Sequence, residues 1–152
     1  MELAGEATAA LRRGLRGRNL APALLNFAAY SIAADRWGQA RAASIEVLGL
    51  AQETQRVIWR AWAMQHLAAV AILSADLAAP DRLRVGDAAR IVGYVDARGA
   101  ALGVPREYTE QQEYERVSAA LDALLGEAET ARLLAAGAAL NEEQAVPLAQ
   151  SL

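Results

Sequence analysis

One stretch constrains the chain more than any other: Trp62 to Ile72, WAMQHLAAVAI. It is apolar almost all round a helical wheel, and a helix of that kind belongs inside a fold. It has an echo forty residues earlier. Leu25-Asn26-Phe27-Ala28-Ala29-Tyr30-Ser31-Ile32 reads position by position against Gln65-His66-Leu67-Ala68-Ala69-Val70-Ala71-Ile72, a constant offset of 40 (65 minus 25). Self-similarity at a period of about 20–50 residues is what a stacked helical array leaves in sequence. The remaining segments read as partner helices and caps for these two.

Composition supports helices over sheets. Alanine supplies 38 of 152 residues, while aromatics make up 5%. Alanine is the best helix former and packs backbones closely, and strands want the β-branched and aromatic residues that are scarce here. The length is enough for one continuous core without staples. With no cysteine there is no disulfide and no thiolate metal site. All 15 basic residues are arginine, and the net charge is −3, which gives no global field for nucleic acid or an anionic membrane. The most apolar span, residues 57–79, is interrupted by Arg60, Gln65, His66 and Asp76, each costly in a bilayer, and no secretory signal pattern opens the sequence. The reading is a cytoplasmic protein without a membrane segment.

Apolar spacing and breakers divide the chain into eight helices within a single domain, residues 1–152. An N-terminal helix over residues 2–17 carries Arg12, Arg13 and Arg16, with Arg18 just beyond. These read as cations at a helix end rather than a nucleic-acid patch, because no aromatics interleave them. Residues 20–53 form a first hairpin, with helices at 20–34 and 39–52 around a turn at Asp35–Gly38. Residues 54–103 form a second, with a longest helix at 53–75, a break at Leu77–Arg84 and a helix at 85–102 whose buried face ends on Leu102. Gly93 and Gly99 permit close helix contact there. Residues 106–152 are capping helices at 110–125, 127–136 and 142–150. Thr109 with Gln112 and Asn141 with Gln144 form capping boxes, Gly137 is a stop, and Pro147 frays the last turn.

Glu107, Glu110, Glu113 and Glu115 read as a solvated first turn, and Tyr108 and Tyr114 as edge packing. His66, the sole histidine, has no evident carboxylate partner in sequence and reads as structural. No catalytic constellation, metal set or cofactor motif is found: Gly86 and Gly93 have neither the Gly-Lys-Ser/Thr nor the preceding strand of a phosphate loop.

A set of ordered motifs then points further. Gly86-Asp87-Ala88-Ala89-Arg90-Ile91-Val92-Gly93, Leu102-Gly103, Glu113-Tyr114-Glu115-Arg116, Leu125-Gly126-Glu127 and Ala138-Ala139-Leu140-Asn141-Glu142-Glu143-Gln144-Ala145-Val146 follow one another. This resembles the C-terminal tetratricopeptide-like region of large bacterial signal-transduction ATPases. That family includes LuxR-type and other helix-turn-helix transcriptional regulators and some adenylate cyclases. The resemblance covers about residues 60–150, and 20–60 more loosely. Asn141 stands where Ser or Thr is usual, and Tyr94-Val95-Asp96 replaces Ala-Ala-Glu. No P-loop, DNA-reading helix-turn-helix or cyclase domain lies in these residues. The resemblance therefore implies a regulatory helical-repeat module, excised or stand-alone, rather than the family's ATPase, cyclase or DNA-binding activity.

The expectation is an all-α, tetratricopeptide-like array of antiparallel αα-hairpins, seven or eight helices in all, that is not an enzyme. It binds a protein partner, or another domain of its parent, in a groove lined by the first helix of each hairpin. Asn26, Tyr30, Arg56, Trp59, Arg60 and His66 are the candidate contact residues. The second reading is a small-effector sensor with a pocket lined by Trp62, Met64, His66 and Tyr94. A homodimer through the N-terminal helix completes the expectations.

Overall fold

The computed structural model describes residues 19–152, together with Ala9. The N-terminal helix, its arginines and the dimer expected through it lie outside the described residues. Those residues form seven helices and no strand: α1 Leu20–Ala33, α2 Trp37–Glu53, α3 Val57–Leu73, α4 Arg82–Leu102, α5 Tyr108–Leu125, α6 Glu127–Ala138 and α7 Glu142–Gln150. They pack as sequential antiparallel pairs, α1 with α2 and α3 with α4, while α2 also rests on α3. None of these helices is long and apolar enough to cross a membrane.

α3 is the centre, and its composition explains why. Every residue from Arg60 to Ile72 is buried, because α1, α2, α4, α5 and α7 all pack on it. Met64, Leu67 and Ile72 meet Leu24, Ile32, Leu48, Ile91 and Leu121 in one cluster. Each such side chain withdraws from water at a gain of about 1.5–3 kcal/mol. The repeated segment occupies equivalent places in α1 and α3, but Asn26 is exposed where its counterpart His66 is covered.

The cover is α5. It packs on both α3 and α1, running in the same direction as they do. Its early residue Glu113 meets His66, and further on Arg116 donates to the Ile32 carbonyl at 3.3 Å and to Asp35 at 3.2 Å. α6 then returns along α4, and α7 closes against α4 and α3.

Gly93 and Gly137 make the α4–α6 approach possible. A Cβ on Gly93 would stand 2.1 Å from the Leu134 carbonyl oxygen, and one on Gly137 would stand 1.9 Å from the Arg90 carbonyl oxygen. Gly137 is thus a contact inside α6 and not its stop. The other glycine expected at a close contact, Gly99, has only an ordinary neighbour at 3.5 Å.

Several helix ends correct the sequence reading. α4 begins at Arg82, inside the expected break, because the Asp81 side chain caps it by accepting from the Arg84 amide at 3.1 Å. α4 and not α3 is therefore the longest helix, and Leu102 at its end is exposed. α2 starts at Trp37, within the expected turn. α5 starts at Tyr108 with Glu107 at the cap position, so Thr109 caps nothing. The reason is Arg106, whose anchoring to α3 and α4 fixes the chain's entry before Thr109 is reached. Asn141 and Gln144 do form a capping box, and α7 continues through Pro147 to Gln150.

The two tight turns share a strained position. Asp35 and Gln55 both have φ of 55°. In each, the amide two residues past the C-cap reaches back, Arg36 to Ser31 and Arg56 to Ala51, closing the helix with a left-handed residue where glycine is favoured. Left-handed backbone costs a side-chain-bearing residue about 1–2 kcal/mol. Gln55→Gly should therefore raise stability by about 1 kcal/mol, read as a higher urea midpoint at unchanged slope.

Candidate functional site

The N-terminal ends of α1 and α3 and the loop leading into α5 leave an open groove of about 360 Å³. Pro22, Leu25 and Asn26 come from α1, Ile58, Trp59 and Trp62 from α3. Val104, Pro105, Glu107 and Glu110 come from the loop and the first turn of α5. The groove exists because α5 begins a turn too late to cover this end of α1 and α3. Its walls are indole and proline rings, and its charges are carboxylates. Glu110 is 7% exposed, and its Oε2 has no hydrogen-bond partner. Among the described residues no cation pairs with either Glu107 or Glu110. Arg56 stands over Trp59 with its guanidinium carbon 5.2 Å from the ring centroid.

Behind the groove lies a polar network, buried at Gln65, His66 and Glu113 and half-buried at Asp96, Arg106 and Tyr114. The His66 Nδ1–H donates to Glu113 Oε2 at 2.8 Å, and Gln65 Nε2 donates to Glu113 Oε1 at 3.1 Å and to the Glu110 carbonyl at 3.3 Å. Arg106 Nε donates to Gln65 Oε1 and its Nη1 to Asp96, at 2.8 and 2.7 Å. The same guanidinium stacks 3.9 Å from the Tyr114 ring, whose hydroxyl donates to Asp96 at 3.2 Å. Six side chains from α3, α4, α5 and the loop before α5 are thus locked together. Burial alone would push the His66 imidazole down, but the charge and hydrogen bond of Glu113, with the charge of Glu110, outweigh it and raise its pKa. Burial, the neighbouring Asp96 charge and the Tyr114–Asp96 hydrogen bond hold the Tyr114 phenol up, against Arg106 and Ser118.

The expected contact residues divide. Asn26 and Trp59 meet in the groove, with Arg56 beside Trp59. Tyr30 is exposed but does not line it. Arg60 is buried and pairs with Glu142, which also draws Arg98 at 3.8 Å, so it holds α7 onto α3 and presents nothing to a partner. His66 is fully buried with the carboxylate partner that sequence did not reveal, and the imidazole and Glu113 side chains are too enclosed to meet a solvent-borne substrate. Of the four residues expected in an effector pocket, only Trp62 lines the groove. Met64 is fully enclosed in the core, and Tyr94 is buried, its phenol held up by burial and Glu142 against Arg98 and Arg60.

Glu107, Glu110 and Glu113 are the functional surprise: two of the three are buried, not solvated. Their signal was periodic, since Val117, Leu121 and Leu124 form the buried stripe of α5 and the same spacing runs back through Glu113 and Glu110. Among the described residues no group of three or more His, Asp or Glu side chains is placed to hold a metal ion. Set against protein-family models, curated proteins and solved structures, the chain has no match.

Proposed function

We propose that this chain is a non-enzymatic regulatory module, a tetratricopeptide-like array whose groove binds a segment of a protein partner or of another domain of its parent. The parent, on the sequence resemblance, is a bacterial transcriptional regulator or signalling ATPase, and the setting is cytoplasmic. The observation that supports the reading is the groove's place: it lies between α1 and α3, the first helices of successive hairpins, and is walled by Trp59, Trp62 and two prolines. Aromatic side chains in such a recess are the usual anchors of a protein contact. The polar network behind it fixes α3, α4 and α5 against one another, so the groove is preformed and a partner need not order it.

The test is site-specific crosslinking of the full chain. A photoreactive residue replaces Asn26 in the groove or Arg41 on exposed α2, and the adducts formed in extract of the source organism are identified and then titrated as purified proteins. A partner specific to position 26 is expected, with affinity falling at least tenfold in Trp59→Ala, about 1.4 kcal/mol. Equal adducts at both positions, or unchanged affinity in Trp59→Ala, would overturn the reading.

A further inference from the structure

We infer that the groove recognises a basic side chain, arginine above all, presented by an extended protein segment; this rests on the groove being the binding surface. Three independent features converge on a cation. First, Glu110 is 7% exposed, lines the groove, and leaves its Oε2 without a hydrogen-bond partner. A buried carboxylate oxygen without a partner is costly, and native structures pair such groups. Second, the other charged residue of the lining is Glu107, also a carboxylate, so no cation of the lining satisfies either one. Third, Trp59 and Trp62 line the groove together with those carboxylates. Indole is the best aromatic partner for a cation.

The fold carries its own precedent for the chemistry. The Arg56 guanidinium already stands 5.2 Å over the Trp59 ring, and a few residues away the Arg106 guanidinium stacks on Tyr114 while bonding Asp96. Arginine is favoured over lysine because its planar fork stacks on aromatic rings and meets carboxylates with more than one donor.

Exposure decides between a protein segment and a free metabolite. Asn26, Val104, Pro105 and Glu107 are open to solvent. A small-molecule site encloses most of its ligand, roughly 70–90% of the ligand surface. This groove encloses one side of what enters it, which suits a side chain anchored by a larger partner outside.

The experiment titrates the full chain by calorimetry with three probes: a capped Ala/Gly hexapeptide carrying two central arginines, the same peptide with citrulline in their place, and agmatine. The arginine peptide is expected to bind, with affinity at least tenfold above both the citrulline peptide and agmatine. Glu110→Gln should lose at least tenfold for the arginine peptide while still unfolding cooperatively, because its Oε2 accepts no hydrogen bond and its part in the fold is the charge it lends to His66. Should Glu110→Gln fold poorly, Glu107→Gln, at an exposed position, takes its place with a several-fold loss expected. Equal binding of the citrulline peptide would overturn cation recognition while leaving the groove reading intact. Agmatine matching the peptide would overturn the protein-segment occupant. No binding by any probe would overturn the inference, and the crosslink at Asn26 would then decide the groove reading by itself.

Discussion

Gly137→Ala will lower the melting temperature by about 10 °C, from a destabilisation of about 3 kcal/mol at the upper end of overpacking costs. The added Cβ would sit 1.9 Å from the Arg90 carbonyl oxygen. To reach an ordinary contact of 3.4 Å, α4 and α6 must part by about 1.5 Å. Backbone cannot rotate away as a side chain can. Separation would also disturb Gly93, whose space is filled by Leu134 on the same crossing, and would loosen Leu133 against the core. Alanine's better helix propensity returns only about 1 kcal/mol. Gly49→Ala in α2 supplies the control, since nothing lies within 4 Å of its Cβ. There the propensity gain stands alone, and the melting temperature should rise. A thermal melt of the two variants beside the parent checks both signs. A Gly137→Ala variant as stable as the parent would mean that α6 does not approach α4 this closely.

Glu113→Gln is expected to cost about 3 kcal/mol, the lower range for breaking a buried charged pair. Glu113 accepts through both oxygens, from His66 and from Gln65. A glutamine offers one acceptor and one donor in that place, so it faces a donor with a donor while the imidazole is protonated, keeps both bonds only if the imidazole turns neutral with Nδ1 as acceptor, and in either case loses the charge attraction. The pH dependence separates this role from mere packing. In the parent, the folded His66 pKa lies above its ordinary value of 6.5, with burial opposed and overcome by Glu113 and Glu110. The folded state therefore holds a proton that the unfolded chain releases as pH rises above 6.5. The stabilisation is fully present below 6.5 and is lost as pH climbs through the folded pKa. Parent stability should fall over that window. In Glu113→Gln burial becomes the prevailing influence and moves the imidazole down, so stability should instead fall as pH drops below 6.5. Urea unfolding across pH 5.5–8.5 reads both slopes. A single histidine makes its NMR titration unambiguous. A parent whose stability rises between pH 6.5 and 8 would contradict the assigned pair.

The architecture was legible where the physics is local. Alanine content and the echo between 25–32 and 65–72 located α1 and α3, and the Asn141–Gln144 box located the start of α7. What escaped was set by contacts far along the chain. His66 lacks a nearby partner in sequence because its partner is 47 residues away. Arg60 looked like a surface cation because the residue that pairs with it, Glu142, is 82 residues away. The acidic run read as solvated because charge was weighed before period. Following the stripe of Val117 backward would have put Glu113 and Glu110 inside. Half of the groove was visible as Asn26 and Trp59 on the facing helices, but its acidic side depends on where α5 begins. That start is fixed by Arg106 reaching Gln65 and Asp96.

The bridge from Arg116 to the C-terminal end of α1 spans 84 residues of chain. In an open stack of hairpins each unit leans only on its neighbours, and an end can peel away while the rest persists. Here α5 touches the first helix as well as the third. Loosening α1 therefore strips a wall from the carboxyl-terminal half, and releasing α5 exposes both earlier hairpins at once. Among the described residues α5 thus couples the first hairpin to the carboxyl-terminal half, and strain applied to α1 reaches α5.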